Sequence, residues 1–159
     1  MRILAIDPGG TTGFVYYDEN PLVHGQRDDW KAFCEMVEEW LDQSLIDQIV
    51  IESYQITSET IRKTRQYEPL MIIGTVYFLA GKYNVPVKLQ GRQIKAFATD
   101  TKLKNMGWWF PGQQHARDAA RHLLGYLVDT EQVDPGKYLG WCGCGETGYM
   151  TGECGHGDS

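Results

Sequence analysis

Nowhere in the sequence does an uninterrupted apolar run approach the roughly 20 residues that a membrane helix needs, and no signal-peptide pattern precedes the first strand-like segment. A cytosolic protein with no membrane partner is therefore expected. A disulfide framework is also lacking: of four cysteines, Cys34 stands alone inside a helical pattern while Cys142, Cys144 and Cys154 gather near the C-terminus. Internal repeats are absent. Positive charge is scarce, with 15 Lys and Arg against 21 acids and a formal net charge of −6, which speaks against a protein that simply coats nucleic acid.

The charge that is present is unevenly placed. Between Gln55 and Asn105 nine basic residues face three acids, a local excess of +6 that leaves −12 for the remainder. Arg62, Lys63, Arg65, Arg92, Lys95, Lys102 and Lys104 belong to this stretch. Such a basic middle suits a chain that meets phosphates on one face and stays soluble on the other, although a solvated helix face gives the same pattern. At 159 residues, with 42% hydrophobic and 23% charged, the chain can bury the core of one α/β domain but not of two.

Local patterns predict a mixed five-stranded sheet flanked by helices. Arg2–Asp7 (RILAID) reads as a buried strand stopped by Pro-Gly-Gly, Gly13–Asp18 as a second strand, and Pro21–Gly25 as a short third. Asp28 or Asp29 can cap a helix reaching about Gln43, whose Trp30, Phe33, Val37, Trp40 and Leu41 recur at helical spacing. Asp47–Glu52 is then a strand reached by a crossover, hence parallel to the first. A long helical region is expected from Ser58 to Tyr83, interrupted near Pro69, followed by a strand at Pro86–Gln90 and a short helix at Gly91–Ala98. Thr99–Gly112 reads as a loop and Gln113–Val128 as the last helix. The division expected is a domain over 1–133 and a Gly- and Cys-rich tail over 134–159.

Asp7 and Glu52 each end an apolar strand, and the crossover argument makes those strands neighbours. Asp118 and His115 lie three residues apart in HARDA, on one helical face. Either acid alone is an ordinary solvated strand end, and a His and Asp pair at this spacing is often only a surface hydrogen bond. Gathered together, these hard ligands favour Mg²⁺ or Mn²⁺, the ions that activate water and stabilise the leaving oxygen in phosphodiester hydrolysis. In a two-metal arrangement with ions about 3.5 to 4 Å apart, Asp7 would bridge them while Glu52 and Asp118 hold one each.

The opening RILAIDPGGTTGFVYYD, the segment IVIESY and the late HARDAARHLLGYL follow one another in the order and approximate spacing of RuvC-type Holliday-junction resolvases, which the chain resembles from residue 1 to about 129. The resemblance implies a ribonuclease H-like fold. It also implies a metal-dependent crossover-junction endodeoxyribonuclease, with Asp7, Glu52 and Asp118 as metal ligands and His115 either binding metal or handling the nucleophile's proton. A homodimer, branched DNA as partner, and a cytosolic setting in a bacterium or phage-infected cell are implied too. Arg62, Lys63 and Arg65 would grip flanking phosphates, and Tyr54 would stack on an unpaired base unless it is simply packed in the interior. The apolar residues Leu70–Leu79 would supply a dimer face unless they serve the core. Thr99–Gly112, with two tryptophans, departs from the Gly-rich basic loop of bacterial members, which puts junction preference in doubt. A flap or RNA–DNA hybrid nuclease and a non-catalytic DNA-binding protein stay open as alternatives. DPGGTTG also approaches the phosphate loop of actin-like ATPases, but 159 residues leave no space for their second domain.

Cys142, Cys144, Cys154 and His156 form CxC followed by CxH, a candidate structural zinc knuckle whose spacing is tighter than the usual CxxC. A flexible glycine-rich tail is the alternative.

Overall fold

The computed structural model describes residues 1–19, 22–57 and 67–133. Five strands form one sheet: β1 (Ile3–Asp7), β2 (Thr12–Tyr17), β3 (Val23–Arg27), β4 (Gln48–Glu52) and β5 (Val87–Gln90), in the order β3-β2-β1-β4-β5. β1 is antiparallel to β2 and parallel to β4, and β4 is parallel to β5. The predicted parallel crossover between β1 and β4 is thus present.

Both faces of the sheet are covered, which explains why ILAID is apolar without alternation and buried throughout. On one face Leu4, Ile6, Ile49 and Ile51 pack against Phe33 and Val37 of α1 (Trp30–Asp42) and Ile72 and Val76 of α2 (Glu68–Lys82). On the other, Ile3, Ala5, Val15 and Val50 meet Ala116, Ala119, Leu123 and Leu127 of α5 (Gln114–Asp129), the last helix among the described residues. Between β5 and α5 lie two short helices, α3 (Ile94–Phe97) and α4 (Asp100–Asn105).

Local chemistry accounts for the helix starts. Asp29 caps α1, its carboxylate accepting from the backbone N–H of Lys31 at 2.9 Å and of Ala32 at 3.2 Å. Pro69 sits in the first turn of α2, where its missing N–H costs no hydrogen bond; the expected helical stretch ahead of it, 58–66, lies outside the described residues. Two boundaries need correction. β3 falls at Val23–Arg27, later than the expected Pro21–Gly25, because Gly25 and Gln26 continue the antiparallel pairing opposite Phe14 and Gly13. Thr99–Gly112 is not wholly a loop: Thr99 caps α4 by accepting from the N–H of Lys102, and Leu103 is buried beneath it.

Among the described residues no helix is long and apolar enough to cross a membrane. The candidate ligands Cys142, Cys144, Cys154 and His156, the whole 134–159 tail, and Arg62, Lys63 and Arg65 lie outside the described residues.

Candidate functional site

Strand periodicity decides where the acids point. Ile3 and Ala5 face α5, so Asp7, two residues on, projects to the same side; Val50 and Glu52 do likewise on the neighbouring strand. Both carboxylates therefore emerge under α5, at the ends of adjacent parallel strands. They are buried, Asp7 at 7% and Glu52 at 5% exposure. From above, α5 contributes His115 and Asp118 on one face, and its Ala116, Ala119 and Ala120 let the helix axis lie close to the sheet.

The four predicted residues do come together. His115 Nδ1 lies 2.9 Å from Asp7 Oδ2. Lys95, from α3, reaches into the centre, its ammonium 3.2 Å from Asp7 Oδ1, 2.7 Å from Glu52 Oε2 and 3.2 Å from Asp118 Oδ2. Arg92 pairs with the other oxygen of Glu52 at 2.9 Å. Arg121 bridges Asp118 to Asp100 and donates to the Ala98 carbonyl at 3.0 Å. A cleft of about 450 Å³ opens onto this cluster, lined by Asp7, Glu52, Tyr54, Arg92, Lys95 and Asp118 among others.

Burial raises the proton affinity of Asp7 above the ordinary carboxylate range, more than the His115 hydrogen bond and the Lys95 charge lower it. Glu52 goes the other way. Burial opposes its ionisation too, but hydrogen bonds with His122, Asp7 and Lys95 outweigh that and hold it well below the usual range. The bond to Asp7 raises the His115 pKa, and the carboxylates around Lys95 overcome the burial that would otherwise neutralise it. Proton and cation are thus shared among groups that bare water would separate.

The chemistry of the donor set fits a hard divalent cation. Three carboxylates from three different elements already surround one positive charge, the Lys95 ammonium, so a cation can sit where their oxygens converge. Asp7, Glu52 and Asp118 supply the oxygens, with His115 at the exposed edge.

The predicted DNA contacts divide. Arg92 is largely exposed beside the cleft, and Tyr54 is half-buried on its wall. Lys95 instead occupies the centre of the carboxylates. Lys102 is tied down, donating to the Phe97 carbonyl at 2.9 Å, and Lys104 lies over the Trp109 ring at 4.7 Å, with Arg117 also near that ring at 4.5 Å. His122 and Gln90 were not anticipated as site residues. His122 is fully buried, with Nε2 3.0 Å from Glu52 Oε2. The signal that would have found it is its spacing, one helical turn beyond Asp118 on the face that carries His115.

No protein-family model and no curated protein matches the sequence. Solved structures do match. The RuvC of Thermus thermophilus in complex with a Holliday junction substrate is similar with a TM-score of 0.63 and 17% identity, over 82% of this chain and 96% of that one. Another Thermus thermophilus RuvC structure is similar with a TM-score of 0.53 and 17% identity, over 82% of this chain and 97% of that one. The expected mixed five-stranded sheet flanked by helices is therefore present, and the chain has the ribonuclease H-like fold of RuvC.

Proposed function

We propose that the protein is a metal-dependent endonuclease that hydrolyses DNA phosphodiesters at four-way or other branched junctions. The observation that carries this reading is the convergence of Asp7, Glu52 and Asp118 on one positive charge at the floor of an open cleft. A solved structure of the same fold holds a Holliday junction, which supports the choice of substrate.

Mg²⁺ or Mn²⁺ held by Asp7, Glu52 and Asp118 would supply Lewis-acid activation of water and of the leaving oxygen. The chain's own groups do the rest. Asp7 and Glu52 are fixed by backbone in two paired strands, so their spacing does not relax when DNA enters. His115, with its proton affinity raised by Asp7, is placed to hold or pass a proton at the cleft edge. Arg92 offers an exposed guanidinium to a phosphate beside the scissile one. Arg121 clamps Asp118 against α4 and so keeps the third carboxylate aimed at the site.

A junction has two symmetric strands to cut, which calls for two copies of the site. α2 offers a surface for that pairing. While Ile72, Val76 and Leu79 face the core, Leu70, Met71, Tyr77 and Phe78 lie exposed on the opposite side, Phe78 at 72%. An apolar stripe on a helix already anchored by its other face suits a self-complementary contact. Phe78→Glu is expected to convert a homodimer to monomers in sedimentation without lowering the melting temperature of the protomer; an unchanged sedimentation coefficient would remove α2 from the interface.

The substrate is tested by comparing cleavage of a labelled four-way junction, a flap, a plain duplex and an RNA–DNA hybrid in magnesium. Preference for the junction is expected. Preference for the flap or hybrid would keep the metal chemistry and replace the substrate, and binding without cleavage of any of them would leave a non-catalytic DNA-binding protein.

A further inference from the structure

Glu52 is paired with Gln90 across β4 and β5, and both project towards α5 at the position where His122 descends from the helix. The imidazole is fully buried between them, Nε2 3.0 Å from Glu52 Oε2 and Nδ1 3.0 Å from the Gln90 amide. Two backbone groups decide which way that amide points. The His122 carbonyl, 3.0 Å away, can only accept, and the Tyr126 N–H, 3.2 Å away, can only donate. The amide nitrogen therefore faces His122 and its oxygen faces Tyr126. That nitrogen also meets Nδ1, so Nδ1 must accept and carries no proton. In a neutral ring the proton then sits on Nε2, where it is donated to Glu52.

We propose that His122 is a positioning residue: Gln90 fixes its tautomer, and its Nε2–H holds Glu52 in one rotamer with one oxygen committed. Asp7, Glu52 and His122 are close enough that all three could be taken for metal ligands. The tautomer separates these roles, because a ring that donates from Nε2 and accepts at Nδ1 has no lone pair left for a metal. His122 thus stands outside the ligand set and acts on it through Glu52. This inference rests on the metal-nuclease reading. Its physical logic is that a buried carboxylate with a free rotamer would have to be ordered at each binding event, whereas one already hydrogen-bonded does not.

The test compares His122→Leu, which removes the donor, with His122→Gln, whose amide restores one. Manganese affinity is measured by calorimetry, junction affinity in chelator by fluorescence anisotropy, and folding by thermal melts. Loss of manganese affinity by about tenfold or more in His122→Leu, recovery of most of it in His122→Gln, and unchanged junction affinity in both are expected. Wild-type manganese affinity in a folded His122→Leu, or equal losses in both variants, would overturn the proposal. Long-range ¹H–¹⁵N spectra of the metal-free wild type decide the matter even if His122→Leu does not fold. The Nε2–H tautomer is expected, and an Nδ1–H or doubly protonated ring would overturn it. Should the wild type bind no manganese and cut no DNA, the nuclease reading falls and the positioning role with it. If the wild type binds and cuts while His122→Leu behaves like it, only the positioning role falls.

Discussion

Asp7→Asn abolishes cleavage, with an expected loss of about 10³-fold or more, since a metal ligand that supplies several kcal/mol of transition-state stabilisation is worth a decade per 1.36 kcal/mol. DNA affinity measured in chelator stays close to wild type, because Arg92 and the other exposed cations are untouched. The same substitution is expected to raise the melting temperature of the metal-free protein at neutral pH. Asp7 is buried, and burial lifts its pKa in the folded state above the unfolded value, so its ionised form opposes folding. A carboxyl shifted this way binds its proton more tightly when folded. Its unfavourable contribution is absent below the unfolded pKa of about 3.9 and grows as pH rises through the raised folded value. The gain from Asp7→Asn should therefore be larger at neutral pH than below the unfolded carboxylate pKa of about 3.9, in melts with chelator. A site that trades stability for a binding charge behaves in this way; a variant that cut DNA at the wild-type rate would remove Asp7 from the metal site.

Gly13→Val carries the other large expected effect. Gly13 pairs with Asp7 across β1 and β2 and faces α5, where a Cβ would stand 2.0 Å from the His115 carbonyl carbon and 2.5 Å from the Ala116 nitrogen. Those are backbone atoms of a helix, so nothing can swing aside. The absence of a side chain at this position is what lets α5 descend onto the sheet and bring His115 within hydrogen-bond reach of Asp7. The variant is expected to lose stability at or beyond the top of the roughly 1–3 kcal/mol usual for overpacking, read from the urea midpoint, and to lose cleavage with it. Gly10→Ala is the control, since a Cβ there meets nothing within 4 Å, and it should unfold near the wild-type midpoint. Equal midpoints for all three proteins would mean that α5 does not rest on Gly13.

Much of this was legible in the chain itself. RILAID and QIVIE are apolar on both faces, which only a covered sheet explains, and their terminal acids fall on one side because strand residues alternate. HARDA placed His115 and Asp118 on one helical face, and the buried alanines around them set that face against the sheet. What was not legible depended on register between distant segments. Lys95 reads as a phosphate-binding cation because charge is visible in a sequence and its partners are not; only the approach of α3 to the ends of β1 and β4 puts it among three carboxylates. His122 meets Glu52 and Gln90 across 70 and 32 residues, contacts that sheet order alone creates. The short helix after Thr99 was overlooked because only Leu103 within it is buried, too little for an apolar period, although Thr99 and Asp100 form an ordinary helix start.

The most direct measurement is cleavage of an immobile four-way junction, labelled on each strand in turn, in magnesium, in manganese and in excess chelator, with Asp7→Asn alongside. Paired nicks near the crossover that require the cation and vanish in Asp7→Asn are the predicted result. Nicks that persist in chelator, or that Asp7→Asn makes as readily as the wild type, would contradict the account.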